Sequence, residues 1–218
     1  MNFPIRINKY LRDKDLASRR EADLLIKSGK VFVNKKPAAI GMMIKAGDEV
    51  TVKGNQKKYV YLAYNKPRGL ATQDFKGKES VITQWEREGL YPIGRLDKES
   101  DGLLLLTNDG RFARKVLSHD KEYEKEYVVT VREHLRTGLP RIFKAGLKIK
   151  GLGTLLPANA EILTPTTLKI IINEGKKHQI RIMMSEMHYT VMSLTRVRIG
   201  NIMLGNLKPG QTRSFVPS

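Results

Sequence analysis

The residues best placed to do chemistry lie in the stretch Pro92-Ile93-Gly94-Arg95-Leu96-Asp97-Lys98-Glu99-Ser100-Asp101-Gly102-Leu103. Two glycines bracket a charged loop that runs into the apolar segment Leu103–Leu106. Asp97 therefore sits beside a rigid element, with Arg95 and Lys98 close in sequence. Neighbouring cations keep a carboxylate ionised, and a carboxylate nucleophile or base must be ionised to act. The same pattern also fits a solvated surface ion pair, so spacing alone leaves both readings open.

Other chemistries lack their residues. The chain has no cysteine, which removes disulfides, thiolate zinc sites and cysteine nucleophiles. Its histidines (His119, His134, His178 and His188) form no HExxH pair, so a histidine-built metal site is not expected. No GxGxxG follows a strand-like run. Gly77-Lys78-Glu79-Ser80 resembles only the end of a phosphate-binding loop and lacks the upstream glycine. No local motif suggests a Ser/His/Asp triad.

The elements that must position such a loop can be read from pattern. Ile7, Tyr10 and Leu11 are spaced for one short helix. Ser18 and Glu21 form a capping box for a second, with apolar Ala22, Leu25 and Ile26 and a stop at Gly29. Lys9, Arg12, Arg19 and Arg20 fall largely off those apolar faces. Short strands follow at 31–33 and 49–52, the first running into the turn-like Asn34-Lys35-Lys36-Pro37. Residues 1–53 are expected to form one small module and 54–59 a linker. Residues 60–218 form a larger domain with strands at 60–64, 103–107, 127–131 and 167–173. Helices are expected at 112–117, at 134–145 despite Pro140, and at 177–188, where Ile180, Met183, Met184 and Met187 share a face. Strands and turns fill 191–215. Without regular βαβ spacing, the fold class is α+β with a mixed, largely antiparallel sheet.

The 218 residues carry 40 Lys+Arg against 22 Asp+Glu, a formal net charge of +18. The excess is +5 over residues 1–50, +7 over 51–165 and +6 over 166–218, so no segment is a pure basic tail. Charge spread over folded surface suits an extended nucleic-acid footprint. The start of the chain has charges throughout and no apolar stretch of signal-peptide length, and no apolar run could span a bilayer. A cytoplasmic protein without a membrane partner is expected. No heptad or apolar interface patch is evident, so a monomer is expected.

Several motifs now resemble one family. Gly94-Arg95-Leu96-Asp97, with Ser100 and Gly102-Leu103, resembles the signature of the pseudouridine synthases. Lys66-Pro67-Arg68-Gly69 resembles the family's Lys-Pro-x-Gly, and Lys125-Glu126-Tyr127-Val128 its Lys-x-Tyr strand. Glu174 to Arg181 resembles Gly-x-x-x-Gln-[Ile/Val]-Arg, and Leu194-Thr195-Arg196 the Leu-x-Arg that follows. Residues 7–53 are similar to the S4 RNA-binding domain. That pairing is typical of synthases that act on ribosomal RNA: type A for the small ribosomal particle, and types B, E and F for the large one. The run from His119-Asp120 to Val131 looks closest to type F.

The resemblance implies isomerisation of a specific uridine to pseudouridine in ribosomal RNA, with the large-subunit (23S) RNA as the expected target, without cofactor or metal. The uridine is flipped from its stack, Asp97 attacks the ribose C1′, a glycal forms, and the base rejoins through carbon 5. By the same resemblance Tyr127 stacks on the uracil and can take a proton, and Arg181 forms an ion pair with Asp97. Arg95 fills the gap left by the flipped base, Leu194 packs under the uracil, and Lys66 belongs to the substrate-binding set. Lys9, Arg12, Arg19, Arg20 and Lys35 are the candidate RNA contacts of the S4-like module. Two positions depart from the family pattern: Ile182 stands where a second arginine is usual, and His178 where Asn or Arg is common. The rival reading is a non-catalytic S4-type RNA-binding or ribosome-assembly factor.

Overall fold

The computed structural model describes residues 2–14, 16–54, 58–73, 79–118, 123–149 and 151–217, without the side chain of Arg20. Gly77-Lys78, His119-Asp120 and residues 55–57 of the expected linker lie outside the described residues. The chain divides into two compact units, residues 1–59 with 109–114, and residues 60–108 with 115–218.

The first unit begins with β1 (Ile5–Arg6), α1 (Ile7–Asp13) and α2 (Arg19–Lys27). It continues through β2 (Val31–Val33), β3 (Lys36–Pro37), β4 (Met43–Ile44) and β5 (Val50–Val52). The capping box is formed: the Ser18 hydroxyl accepts from the Glu21 N–H and the Glu21 carboxylate accepts from the Ser18 N–H, each at 3.3 Å. Such a cap is worth about 1 kcal/mol, which matters in a helix this short. β2 pairs with β3 on one side and β5 on the other, both antiparallel. The turn between β2 and β3 places Asn34 and Lys35 at φ 49° and 67°, the left-handed geometry that matches a hairpin's twist. Ile7, Leu11, Ala22, Leu25, Ile26, Val31, Val33 and Ile44 form its core.

The second unit is built on one sheet. Its elements are β6 (Tyr61–Lys66), α3 (Val81–Trp85), β7 (Tyr91–Pro92), β8 (Asp101–Thr107), α4 (Gly110–Leu117), β9 (Lys125–Val131) and α5 (Leu139–Ala145). The part of α4 up to Arg114 falls in the first unit. β10 (Lys148–Ile149), β11 (Gly153–Thr154), β12 (Asn159–Thr164) and β13 (Thr167–Ile172) follow. The chain then forms α6 (Gln179–Glu186), β14 (Val191–Ile199), β15 (Ile202–Met203) and β16 (Thr212–Ser214). The sheet order is β12-β13-β9-β14-β8-β6-β16, with β15 on β14 and β7 on β8. Among the described residues every pairing of this sheet is antiparallel except β14 with β8. This is the expected α+β fold with a mixed, largely antiparallel sheet.

Leu103, Leu104, Leu105 and Leu106 are all fully buried, which explains a β8 that is apolar throughout rather than alternating. α5 and α6 pack Leu139, Phe143, Ile180, Met183 and Met184 into one core with Val129, Leu168 and Ile170 of the sheet. Tyr64, Val81, Leu104 and Leu106 form a separate cluster. Burial of each such side chain contributes about 1.5–3 kcal/mol.

Two expected helices are shorter than their sequence pattern. The segment expected as helix from 134 begins only at Leu139, with Pro140 in its first turn. Proline lacks an N–H and is tolerated there, whereas in a helix interior it removes a hydrogen bond. The helix expected over 177–188 is confined to Gln179–Glu186, because His178 and His188 adopt left-handed φ of 54° and 64°.

Candidate active site

Asp97 stands on the loop between β7 and β8, and that loop is pinned at nearly every residue. The Thr72 hydroxyl donates to the Leu96 carbonyl (2.6 Å) and accepts from the Leu96 N–H (3.0 Å). The Gly69 N–H donates to the Lys98 carbonyl at 2.8 Å, and the Ser100 N–H to the Asp97 carbonyl at 3.1 Å. Arg181 Nη2 donates to the Glu99 carbonyl (2.7 Å) and to Ser100 Oγ (3.1 Å). Arg196 Nη1 reaches the Arg95 carbonyl at 3.5 Å. A loop anchored through its own backbone holds its side chains in a fixed geometry.

Gly102 closes the loop. Its φ is +101°, and a Cβ there would lie 2.3 Å from the Arg196 carbonyl oxygen. Gly102 is the register partner of Arg196 in the parallel pairing of β14 with β8. Only glycine lets the two backbones come this close.

The loop forms one wall of a cavity of about 190 Å³. Tyr127 on β9 and Leu194 on β14 line it, both nearly inaccessible to solvent. Arg95 and Asp97 line it from the loop, joined by Ser100, Lys125, His178 and Arg196. A second depression also borders Asp97 and shares Arg95, Asp97, Lys176 and His178 with the first. It adds Lys98 and Lys177, so the groove beside the cavity is strongly basic.

Asp97 is partly exposed, and its Oδ2 lies 3.2 Å from Nδ1 of His178. His178 is presented by the turn Glu174–His178 that starts α6. The Gln179 amide donates to Glu174 Oε1 (2.9 Å) and accepts from the Lys176 N–H (3.0 Å). Lys176 Nζ caps the carbonyls of Leu152 and Thr154 at 2.8 and 3.0 Å.

Two expectations need correction. Arg181 makes no ion pair with Asp97 among the described residues, because its Nη2 is spent on Glu99 and Ser100. It braces the loop from behind, and the group on the Asp97 carboxylate is His178. Lys66 lines neither depression beside Asp97 and is fully inaccessible. Its ammonium donates to the carbonyls of Pro67 (2.9 Å) and Leu70 (2.7 Å), tying the turn after β6. Desolvation lowers its pKa from 10.5 to about 8, opposed by Asp101, Asp97 and Glu99.

Three residues at the site had motif positions or neighbours but no assigned role. Arg196 is buried on β14, with Nε on the Leu103 carbonyl at 2.7 Å and Nη1 3.4 Å from the Tyr127 hydroxyl. Lys125 lines the cavity, and burial, then Arg196, lowers its pKa. Period-two alternation was the available signal: Leu194 and Arg196 share a strand face, as do Lys125 and Tyr127. Thr72 gave no such signal.

In the first unit, Lys9 and Arg19 line one depression together with Arg6 and Asn8. Arg12 is paired with Asp13 at 2.5 Å. Lys35 is exposed in its hairpin turn, apart from that depression. Arg20 lies in α2, its side chain outside the described residues.

The family model for RNA pseudouridylate synthase matches residues 60–186, which hold the Asp97 loop, the Tyr127 strand and the turn into α6. The chain belongs to that family. The S4 domain model matches residues 5–50 of the synthase. The synthase is 36% identical over 219 residues to the dual-specificity RNA pseudouridine synthase RluF of Escherichia coli K12, covering 97% of this chain and 75% of that one. It is 34% identical to ribosomal large subunit pseudouridine synthase B of Bacillus subtilis, covering 97% and 92%. A crystal structure of a pseudouridylate synthase aligns with a TM-score of 0.72 and 25% identity over 97% of this chain and 96% of that one. The synthase is an isomerase of RNA uridine. No helix of the described residues is long and apolar enough to cross a membrane.

Proposed function

We propose that this synthase converts a uridine of ribosomal RNA, in the large subunit, to pseudouridine, with Asp97 as the nucleophile. The observation that carries the reading is Asp97 held on a braced loop at a cavity whose walls are Tyr127 and Leu194. An aromatic ring and an aliphatic side chain suit a planar base, and a site this small takes one base lifted from its stack. The names of the relatives, one of them a large-subunit enzyme, support ribosomal RNA as the substrate.

The reaction is balanced within the substrate. The Asp97 carboxylate attacks C1′, and the N1–C1′ electron pair departs on the uracil. Loss of the C2′ proton frees the carboxylate and leaves a glycal. The base turns, C2′ regains a proton, and carbon 5 bonds to C1′. The C5 proton then leaves and N1 gains one. Tyr127 stacks on the base and takes a proton, Leu194 supports the base from below, and Arg95, exposed at the mouth, fills the vacated stack. His178 holds the carboxylate, and Arg181 holds the loop. Residues 1–53 form the RNA-binding module, where Lys9 and Arg19, with Arg6 beside them, contact phosphates. Arg12, Arg20 and Lys35 extend that footprint. Residues 60–218 form the catalytic domain.

Carbodiimide mapping by primer extension, on unmodified large- and small-subunit RNA, tests the reading with wild type and Asp97→Asn. The expected result is one stop in large-subunit RNA with wild type, absent with the variant, while RNA affinity stays within about twofold of wild type. A stop that survives Asp97→Asn would remove Asp97 as nucleophile. A stop only in small-subunit RNA would move the target, and no stop in either RNA or in immature subunits would overturn the reading.

A further inference from the structure

The cavity holds positive charge that the fold itself leaves incomplete. Arg196 is 3% exposed, and Nε and Nη1 are spent on Leu103, Arg95 and Tyr127. Its Nη2 is buried and has no hydrogen-bond partner. A buried donor without an acceptor costs about 1–3 kcal/mol, more when charged, so its retention in a site points to an acceptor brought by a ligand. Lys125 lines the same cavity, and its ammonium has no hydrogen bond or ion pair among the described residues. Burial and then the Arg196 charge make its ammonium easier to deprotonate than usual. Two like charges in one desolvated pocket repel each other, and a bound acceptor that carries or develops negative charge relieves both.

The chemistry of the base supplies that acceptor. Uracil presents two carbonyl oxygens. When the N1–C1′ bond breaks, the electron pair stays with the base, and its charge spreads onto N1 and both oxygens. Cytosine carries an amino donor in place of one carbonyl, which would set donor against donor. Arg196 lies in register with Tyr127 across β14 and β9, with its guanidinium carbon 5.9 Å from the centre of the Tyr127 ring, so a base bound against that ring lies near this guanidinium.

We propose that Arg196 donates through Nη2 to a carbonyl oxygen of the flipped uracil, with Lys125 as the second positive charge. The pair selects uracil over cytosine and stabilises the anionic base while it is detached. The inference rests on the proposed function of the cavity and deepens it.

The test uses the full chain as wild type, Lys125→Met and Arg196→Lys, with thermal unfolding to verify folding. Single-turnover pseudouridine formation is read beside RNA affinity by filter binding, and uracil and cytosine at millimolar concentration are read by ligand-observed NMR. Lys125→Met keeps the side-chain volume and leaves every hydrogen bond described above intact, so it serves even where Arg196→Lys fails to fold. The expected result is a rate loss of about 100-fold for each folded variant with unchanged RNA affinity. Wild type should favour uracil over cytosine by about tenfold or more, and the variants should lose that preference. A Lys125→Met enzyme with wild-type rate and wild-type preference, or a wild type that does not distinguish the two bases, overturns the inference. Failure of the proposed function looks different, because wild type itself would then form no pseudouridine.

Discussion

The group beside the Asp97 carboxylate is a histidine, not the arginine that the motif resemblance implied. An arginine is a permanent cation with a forked donor set, whereas an imidazole presents one ring nitrogen to the carboxylate. The histidine keeps its place at φ 54°, a conformation that costs a non-glycine residue about 1–2 kcal/mol. His178→Gly therefore removes the side chain without adding backbone strain. The expected effect is a fall in kcat of about 10- to 100-fold with little change in KM, the signature of a misplaced catalytic group. Steady-state kinetics on the mapped RNA would show it, and an unchanged kcat would mean that the braced loop alone orients Asp97.

At the scale of elements, the site depends on one close approach. β8 and β14 run parallel, and their register sets Gly102 opposite Arg196. The same strand step that lets the backbones touch also delivers Leu194 and Arg196 to the cavity. Gly102→Ala would place a methyl group on a backbone carbonyl that cannot move without separating the strands. A loss of about 3 kcal/mol in urea unfolding is expected, from backbone strain and overpacking together. A loss below about 0.5 kcal/mol, the scale of a neutral surface change, would show that the strand pair yields easily.

For the whole molecule, charge and burial pull in opposite directions. A net charge of +18 suits a polyanionic partner and opposes compaction. Within that field Lys66 is buried, with its pKa lowered to about 8 by desolvation. Below about pH 8 folded and unfolded chains both hold the proton, and the fold bears the full cost of a buried cation. Between about 8 and 10.5 the unfolded chain still holds a proton that the folded chain has released, so raising the pH favours the fold. Relative to Lys66→Met, wild type should therefore gain stability across that window in urea unfolding. A difference between the two proteins that stays flat with pH would show that Lys66 remains charged in the fold.

Local pattern determined much of this protein. The capping box at Ser18, the apolar β8, the Met face of α6 and the order of the motifs are short-range features, and each sits in the structure where its spacing placed it. The family follows from those motifs. α3, the short strands β1, β4, β7, β10 and β11, and β12 carried too few residues or too weak an alternation to be read. The limits of α5 and α6 depended on Pro140 and on two left-handed histidines, where local backbone geometry ended a helix that apolar spacing would have continued. Partner choice was decided only by the tertiary structure. Arg181 braces Ser100, Lys66 ties a turn, Thr72 clamps Leu96 and His178 meets Asp97, all across 24 or more residues of sequence except the Lys66 turn. Sequence names the donors and acceptors available, but hydrogen bonds form over about 3 Å, and that distance is set only when the sheet brings separate strands and loops together.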